Sequence, residues 1–415
     1  MALIECGEEA AKHFAFAKGY RNLNHGSYGT YPIEIRDVFR DYQSKTEARP
    51  DAFVRYEYRT KLLDESREAI AKYLNVPTDT CVYVPNATTA IETVLRNLVY
   101  KEGDVIVYFA TVYPAFANTA KWLAETTRVQ VHSIDYTLPV SDKYICDAFE
   151  TTIRELKAAG KNPRIAIFDA INSLPSARMP FEELVKLCKT HRLLSCVDGA
   201  HAIGHIPLDL PALDPDFFVT NCHKWLYVPR SCAVFHVPLR NQHLLRTTLP
   251  TSFMFGSPFV ANFSSVGTLD DNPYLCVPAA LEWRKRLSWG DLRGDEAAMG
   301  YMRKLARAGG KMVAGILQTE ILENEEETLG NCNLVMVRLP LVLLPGKDAA
   351  AATKMSDWVM KVAMLEENVA VYTTFYAGSV WARLSAQIYL TLADFGYAGR
   401  ALQRVCERAQ RGEWA

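Results

Sequence analysis

The chain has 415 residues, 49% of them hydrophobic and 22% charged, the balance of an ordinary folded protein rather than a disordered or fibrous one. Its 46 basic and 47 acidic side chains leave a formal net charge of −1, which argues against a broad basic surface for nucleic acid. Ten cysteines without a CxxC pair and nine scattered histidines form no metal-ligand pattern, so no metal is expected and reduced cysteines in the cytoplasm are. The opening MALIECGEEAAKHF lacks the order of a secretory signal, and apolar runs such as LPLVLLPG are too short to cross a bilayer. A membrane partner is therefore not expected.

Along the chain, RNLNHGSYGTYP at 21–32 predicts a tight loop lining a site, with His25 and Tyr28 as candidate substrate contacts. It has neither the dinucleotide fingerprint spacing nor the P-loop lysine. VPNATTAIETVLRNL at 84–98 predicts an amphipathic helix after a short strand. Asn86, Thr88 and Thr89 at its start suit a phosphate, although simple N-capping is the better reading of the segment taken alone. The buried-strand run VIVYF at 105–109 leads to Tyr113, which could lie against a planar ring. RIAIF at 164–168 is a second such strand, followed by Asn172 and Ser173 as polar contacts and by the helix pattern FEELVKLCKTH.

The strand running into CVDGAHAIG at 196–204 ends on Asp198, a carboxylate able to pair with a protonated ring nitrogen, and His201 lies three residues on. DFFVT at 216–220 is the next strand, and NCHKWLYVPRSCAVF follows it. That segment sets Asn221, His223 and Lys224 at the ligand face of a sheet, where a lysine amine can form an imine with an aldehyde cofactor. The triplet HKW taken alone reads as a surface loop. CAVFHV at 232–237 is a further strand. Apolar strands separated by amphipathic helices predict an α/β fold with a mostly parallel central sheet covered on both faces.

The last third is richer in helix, with VPAALEWRKRL, EAAMGYMRKLARAGGKMVAGIL and AATKMSDWVMKVAMLEE, and has strand runs NLVMVRL and VAVYTTF. It predicts a smaller α+β C-terminal domain at 275–415, a large domain at 41–274, and a segment 1–40 packing with the small one. Arg383 in VWARLSAQIY is able to clamp a carboxylate with two parallel bonds.

In order along nearly the whole chain, NHGSYG, PNATTAIETVLRN, DGAH, NCHKW, the pair Gly267–Thr268 and ARLSAQIY resemble the class V aminotransferase-like branch of fold-type I pyridoxal 5'-phosphate (PLP) enzymes. Fold and cofactor follow from that resemblance as expectations. It implies Lys224 as the imine lysine and Asp198 as the partner of the pyridine nitrogen. It puts His201 at the phenolic oxygen and Tyr113 on the ring. Thr88, the amides around Thr89, Asn221 and His223 fall at the phosphate, with Asn172 nearby as a cofactor contact. Arg383 matches the arginine that holds the substrate carboxylate. Thr268 matches a residue donated to the neighbouring subunit's phosphate, which implies a homodimer.

RNLNHGSYGT, ARPDAFVRYEY, KLLDESR, NCHKWLYVPR and RTTLPTS further resemble the isopenicillin-N-epimerase-like subgroup, which includes a fungal C–S lyase of ergothioneine synthesis and a PLP enzyme of loline-type alkaloid synthesis. Pro114, Ala115 and Phe116 after Tyr113, and FMFGSPFV at 253–260, depart from the lyase pattern toward a more apolar substrate region. The expectation is therefore an enzyme that binds an amino acid through an imine and forms a Cα carbanion. γ-Elimination with carbon–carbon cyclisation is the first reading, β-elimination of a C–S bond the second, and transamination or epimerisation the third. A desulfurase needs an exposed nucleophilic cysteine, which Cys222, Cys332 and Cys406 do not offer.

Overall fold

The computed structural model describes residues 2–247, 257–342 and 348–414. Short apolar runs become the strands of a central seven-stranded sheet: β1 (Cys81–Val84), β2 (Asp104–Phe109), β3 (Gln130–Ile134), β4 (Asn162–Asp169), β5 (Leu194–Asp198), β6 (Phe217–Thr220) and β7 (Ala233–His236). Their order is β1-β7-β6-β5-β4-β2-β3. Strands β3, β2, β4, β5 and β6 run parallel, and only β7 opposes its neighbours β6 and β1.

Alternation along each strand sends side chains to two separate cores. Val105, Val107, Phe109, Phe168, Val197 and Phe218 join one, while Ile106, Tyr108, Ile165, Ile167, Cys196 and Val219 join the other. Helix Ala87–Asn97 covers the second core. The Asn86 side chain caps it on the Thr89 amide, and Ala90, Ile91, Val94 and Leu95 form its buried stripe. Helix Phe181–His191 covers the first core through Leu184, Val185 and Cys188, and ends on Arg192 in the left-handed region.

Toward the C-terminus, β8 (Leu334–Arg338), β9 (Tyr372–Tyr376) and β10 (Ser379–Ser385) make a small antiparallel sheet with β10 in the middle. Helices Gly294–Leu317, Ala349–Leu365 and Leu392–Gln410 pack beside it. The first residues pair with late ones: Ile4–Glu5 with Leu287–Ser288, and Arg21–Asn22 with Val369–Ala370. No helix among the described residues is long and apolar enough to cross a membrane.

Arg284 joins these parts. Its guanidinium is 2% exposed, meets Asp295 Oδ1 at 2.6 Å, and donates to the carbonyls of Trp225 (2.8 Å) and Gly204 (3.2 Å). Those carbonyls belong to the segments that carry Lys224 and His201. Replacing Arg284 leaves two buried carbonyls and a carboxylate without their donor. We expect Arg284→Leu to lower the unfolding free energy by about 3 kcal/mol, measured by urea denaturation.

Candidate active site

Strand ends of β1, β2, β4, β5 and β6 converge on one cleft of about 310 Å³, the size of a small cofactor site. Lys224 reaches it from the single turn Cys222–Trp225 that follows β6. Its Nζ lies 3.0 Å from His201 Nε2, and the Trp225 indole N–H donates to His201 Nδ1 at 3.2 Å. An indole nitrogen can only donate, so Nδ1 holds a lone pair and the neutral ring carries its proton on Nε2. That N–H needs an acceptor, and Lys224 is one only as the free amine. Burial acts in the same direction. It lowers Lys224 to about 8, with Asp198 opposing and the Arg383 charge assisting. Burial, then Lys224, holds His201 well below its ordinary range.

Asp198 closes β5 and accepts the Ala200 amide at 2.8 Å. Asp169 closes β4 in register beside it, and burial raises both carboxyls. At the start of helix Ala87–Asn97, the Ala87 amide is bound by Asn221 Oδ1 (2.9 Å) and the Thr89 amide by Asn86 Oδ1 (2.9 Å). Thr88 remains on the cleft wall as the helix-start donor. His223 lines the same wall. Its Nδ1 bonds the Cys232 carbonyl at 2.9 Å, and burial and Lys224 push its basicity down to about 4.

Arg383 projects from the middle of β10 and is 2% exposed. Its Nη1 donates to the Ser173 carbonyl (3.1 Å) and hydroxyl (3.3 Å), and its Nη2 to Asn24 Oδ1 (2.9 Å) and the Ser27 hydroxyl. No carboxylate pairs with it among the described residues, and burial lowers it to about 10, so at neutral pH it remains a cation without a counter-ion.

The cleft thus brings together Lys224, Asp198, His201, Thr88, Asn221, His223, Tyr113, Arg383 and Tyr28, with Phe116 and Ser173. Four other residues do not line it. His25 sits behind it, with its ring nitrogens on Tyr389 Oη (3.0 Å) and the Lys224 carbonyl. Asn172 turns to Thr111 Oγ1 (3.2 Å), Thr89 serves the helix start, and Thr268 is exposed in a separate loop. Residues 248–256, which include most of RTTLPTS and the FMFG stretch, lie outside the described residues. Sequence reasoning missed Asp169, whose only signal is its place one residue beyond RIAIF, and the Asn24 and Ser27 supports of Arg383.

Fold and cleft define a class, the fold-type I PLP enzymes. Within it the chain belongs to the class-V aminotransferase family, whose profile (Aminotransferase class-V) matches residues 31–274. It is 37% identical to an L-cysteine desulfhydrase-like protein of Epichloe uncinata over 449 residues, covering 97% of this chain and 94% of that protein. Hercynylcysteine sulfoxide lyase of Schizosaccharomyces pombe is 27% identical over 413 residues, covering 96% and 98%. Among solved structures, the cystine C–S lyase C-DES with cysteine persulfide superposes with a TM-score of 0.77 at 17% identity, over 93% of this chain and 98% of that one.

The residues present fit PLP. A free buried amine, the Thr88 helix start and the Asp198 carboxylate are the donor and acceptor set for its aldehyde, phosphate and ring nitrogen.

Three outcomes are expected. Covalent capture of PLP by the apo-protein, followed by mass after borohydride reduction, should accelerate as pH rises through about 8. Trp225→Phe should move that midpoint upward, because His201 is then free to accept from an ammonium. Gly29 has φ +63°, and a Cβ there would fall 1.7 Å from the His223 carbonyl oxygen. Gly29→Ala should therefore displace the Lys224 turn and abolish capture, scored by the same assay.

Proposed function

We propose that the chain is a PLP-dependent enzyme that removes the Cα proton of an α-amino acid and expels a side-chain leaving group. The observation that carries this is the buried Lys224 amine, which loses its proton more readily than an ordinary lysine and meets the His201–Trp225 relay within the cleft that also holds the Arg383 cation. When bound, PLP supplies a carbonyl carbon for the substrate amine and a ring that withdraws electrons from Cα.

The chain's own residues do the rest. Arg383 receives the substrate carboxylate and fixes the direction of the Cα–H bond. Lys224 Nζ takes the Cα proton. Asp198 receives the ring nitrogen, and His201 Nε2–H is aimed at the cleft as the donor for the phenolic oxygen. Thr88 and the helix start hold the phosphate, with His223 and the Asn221 amide beside them. Tyr113 covers the ring.

Apolar lining by Phe116, Ile171 and Leu174 supports γ-elimination followed by carbon–carbon ring closure, the type of step used in alkaloid-forming specialised metabolism. A second reading is β-elimination at a C–S bond. It is supported by the names of relatives, which include L-cysteine desulfhydrase of Arabidopsis thaliana and the sulfoxide lyase. A persulfide relay has less support. Among the described residues no cysteine lines the cleft, and burial pushes Cys332 to about 11 and Cys406 to about 12.

The test is a product assay on PLP-loaded enzyme with β-S- and γ-O-substituted amino acids. Cyclic or coupled products from the γ-substituted set support the first reading. Pyruvate, ammonia and a sulfur product from the β-S set alone replace it with the second. Keto acid with retained side chain, or inverted amino acid only, would defeat both. Arg383→Met should lower kcat/KM about a hundredfold, or about 2.7 kcal/mol, mainly through KM.

A further inference from the structure

Asp169 and Asp198 end adjacent parallel strands, stand in register and line the cleft, at 3% and 5% exposure. Asp198 has the Ala200 amide, but neither oxygen of Asp169 meets a donor among the described residues. Two ionised carboxylates in one dry site repel each other and leave lone pairs unsatisfied, whereas a single shared proton cures both faults. Burial and the neighbouring Asp198 charge hold the Asp169 carboxyl well above its ordinary range. Burial also raises Asp198, but the adjoining Asp169 carboxyl and the Ala200 amide favour its charged form. The other titratable groups facing Asp169 are Lys224, whose charge opposes the rise, and Tyr136, whose phenol burial keeps protonated.

We propose that Asp169 keeps a proton at neutral pH and donates it to Asp198, making Asp169 a positioning residue that sets the aim and basicity of the carboxylate offered to the cofactor's ring nitrogen. The positioning role rests on the assignment of Asp198 under Proposed function; the shared proton does not. Asp169 then contributes no charge, and the pair carries a single negative charge against Lys224.

The first test uses the apo-protein, wild type and Asp169→Asn. In the folded chain Asp169 holds a proton that the unfolded chain gives up at lower pH. The stability tied to that proton is complete below the unfolded value and is lost as pH rises through the folded value. D169N has no such proton, so its Tm should gain on that of wild type steadily as pH increases. The infrared band of a protonated carboxylic acid at neutral pH should be present in wild type and absent from D169N. Parallel Tm curves with no difference in that band would overturn the proposal.

The second test reads the cofactor's absorbance against pH in the PLP-loaded protein. D169N, whose amide still donates, should keep the wild-type profile, and Asp169→Ala should shift its midpoint by about one unit. A D169A profile identical to wild type would remove the positioning role. Asp198→Ala with an unchanged profile would overturn the Asp198 assignment instead and leave the shared proton standing.

Discussion

Burying an amine beside an arginine cation is the constraint from which the rest of this site follows. An ammonium at Lys224 would lose its hydration and face the Arg383 cation, so burial favours the free base. Burial alone leaves the amine's direction open. Trp225 settles it through hydrogen-bond logic: a donor that cannot accept fixes the tautomer of His201, and that tautomer asks Lys224 for a lone pair. The amine is thereby oriented by a neutral relay, while the Asp198–Asp169 carboxyl pair favours its protonated form.

That relay needs a rigid backbone, and close packing supplies it. Gly29 lies against the carbonyl of His223, and Gly204 against that of Trp225, where an added Cβ would come within 1.7 Å and 2.5 Å. Arg284 donates to the second carbonyl as well. The segment carrying Lys224 is held between the NHGSYG stretch, where a helical turn His25–Tyr28 stands in place of the expected loop, and a helix more than 50 residues downstream. Contacts of such long sequence separation carry a loop-closure entropy cost that the packing has to offset.

The central sheet was largely legible because buried parallel strands write themselves as short apolar runs, as at 105–109 and 164–168. The polar edge strand Gln130–Ile134 was not, since half-exposed QVHSI carries no such run. Nor was the reversal of β7, because an apolar run reads alike in either direction. Motif pieces at strand ends made Lys224, Asp198 and His201 legible, and Arg383 joins them in the cleft from the middle of β10. His25 shows the limit. A residue's place in a motif says nothing of which way its ring faces, and both its nitrogens turn inward. Asp169 shows the converse: a strand-end aspartate reads as a turn residue until the register of two distant strands sets it beside Asp198.

Arg383 stands on a strand of the small antiparallel sheet, and Lys224 on the turn that follows β6 of the central sheet. An amino acid held by both would span the seam between them as a molecular staple. An amine lacking the carboxylate would reach the lysine yet leave the seam open. Discrimination against decarboxylated look-alikes is then a matter of mechanical purchase, exerted on the whole molecule by the smallest charged group of the substrate.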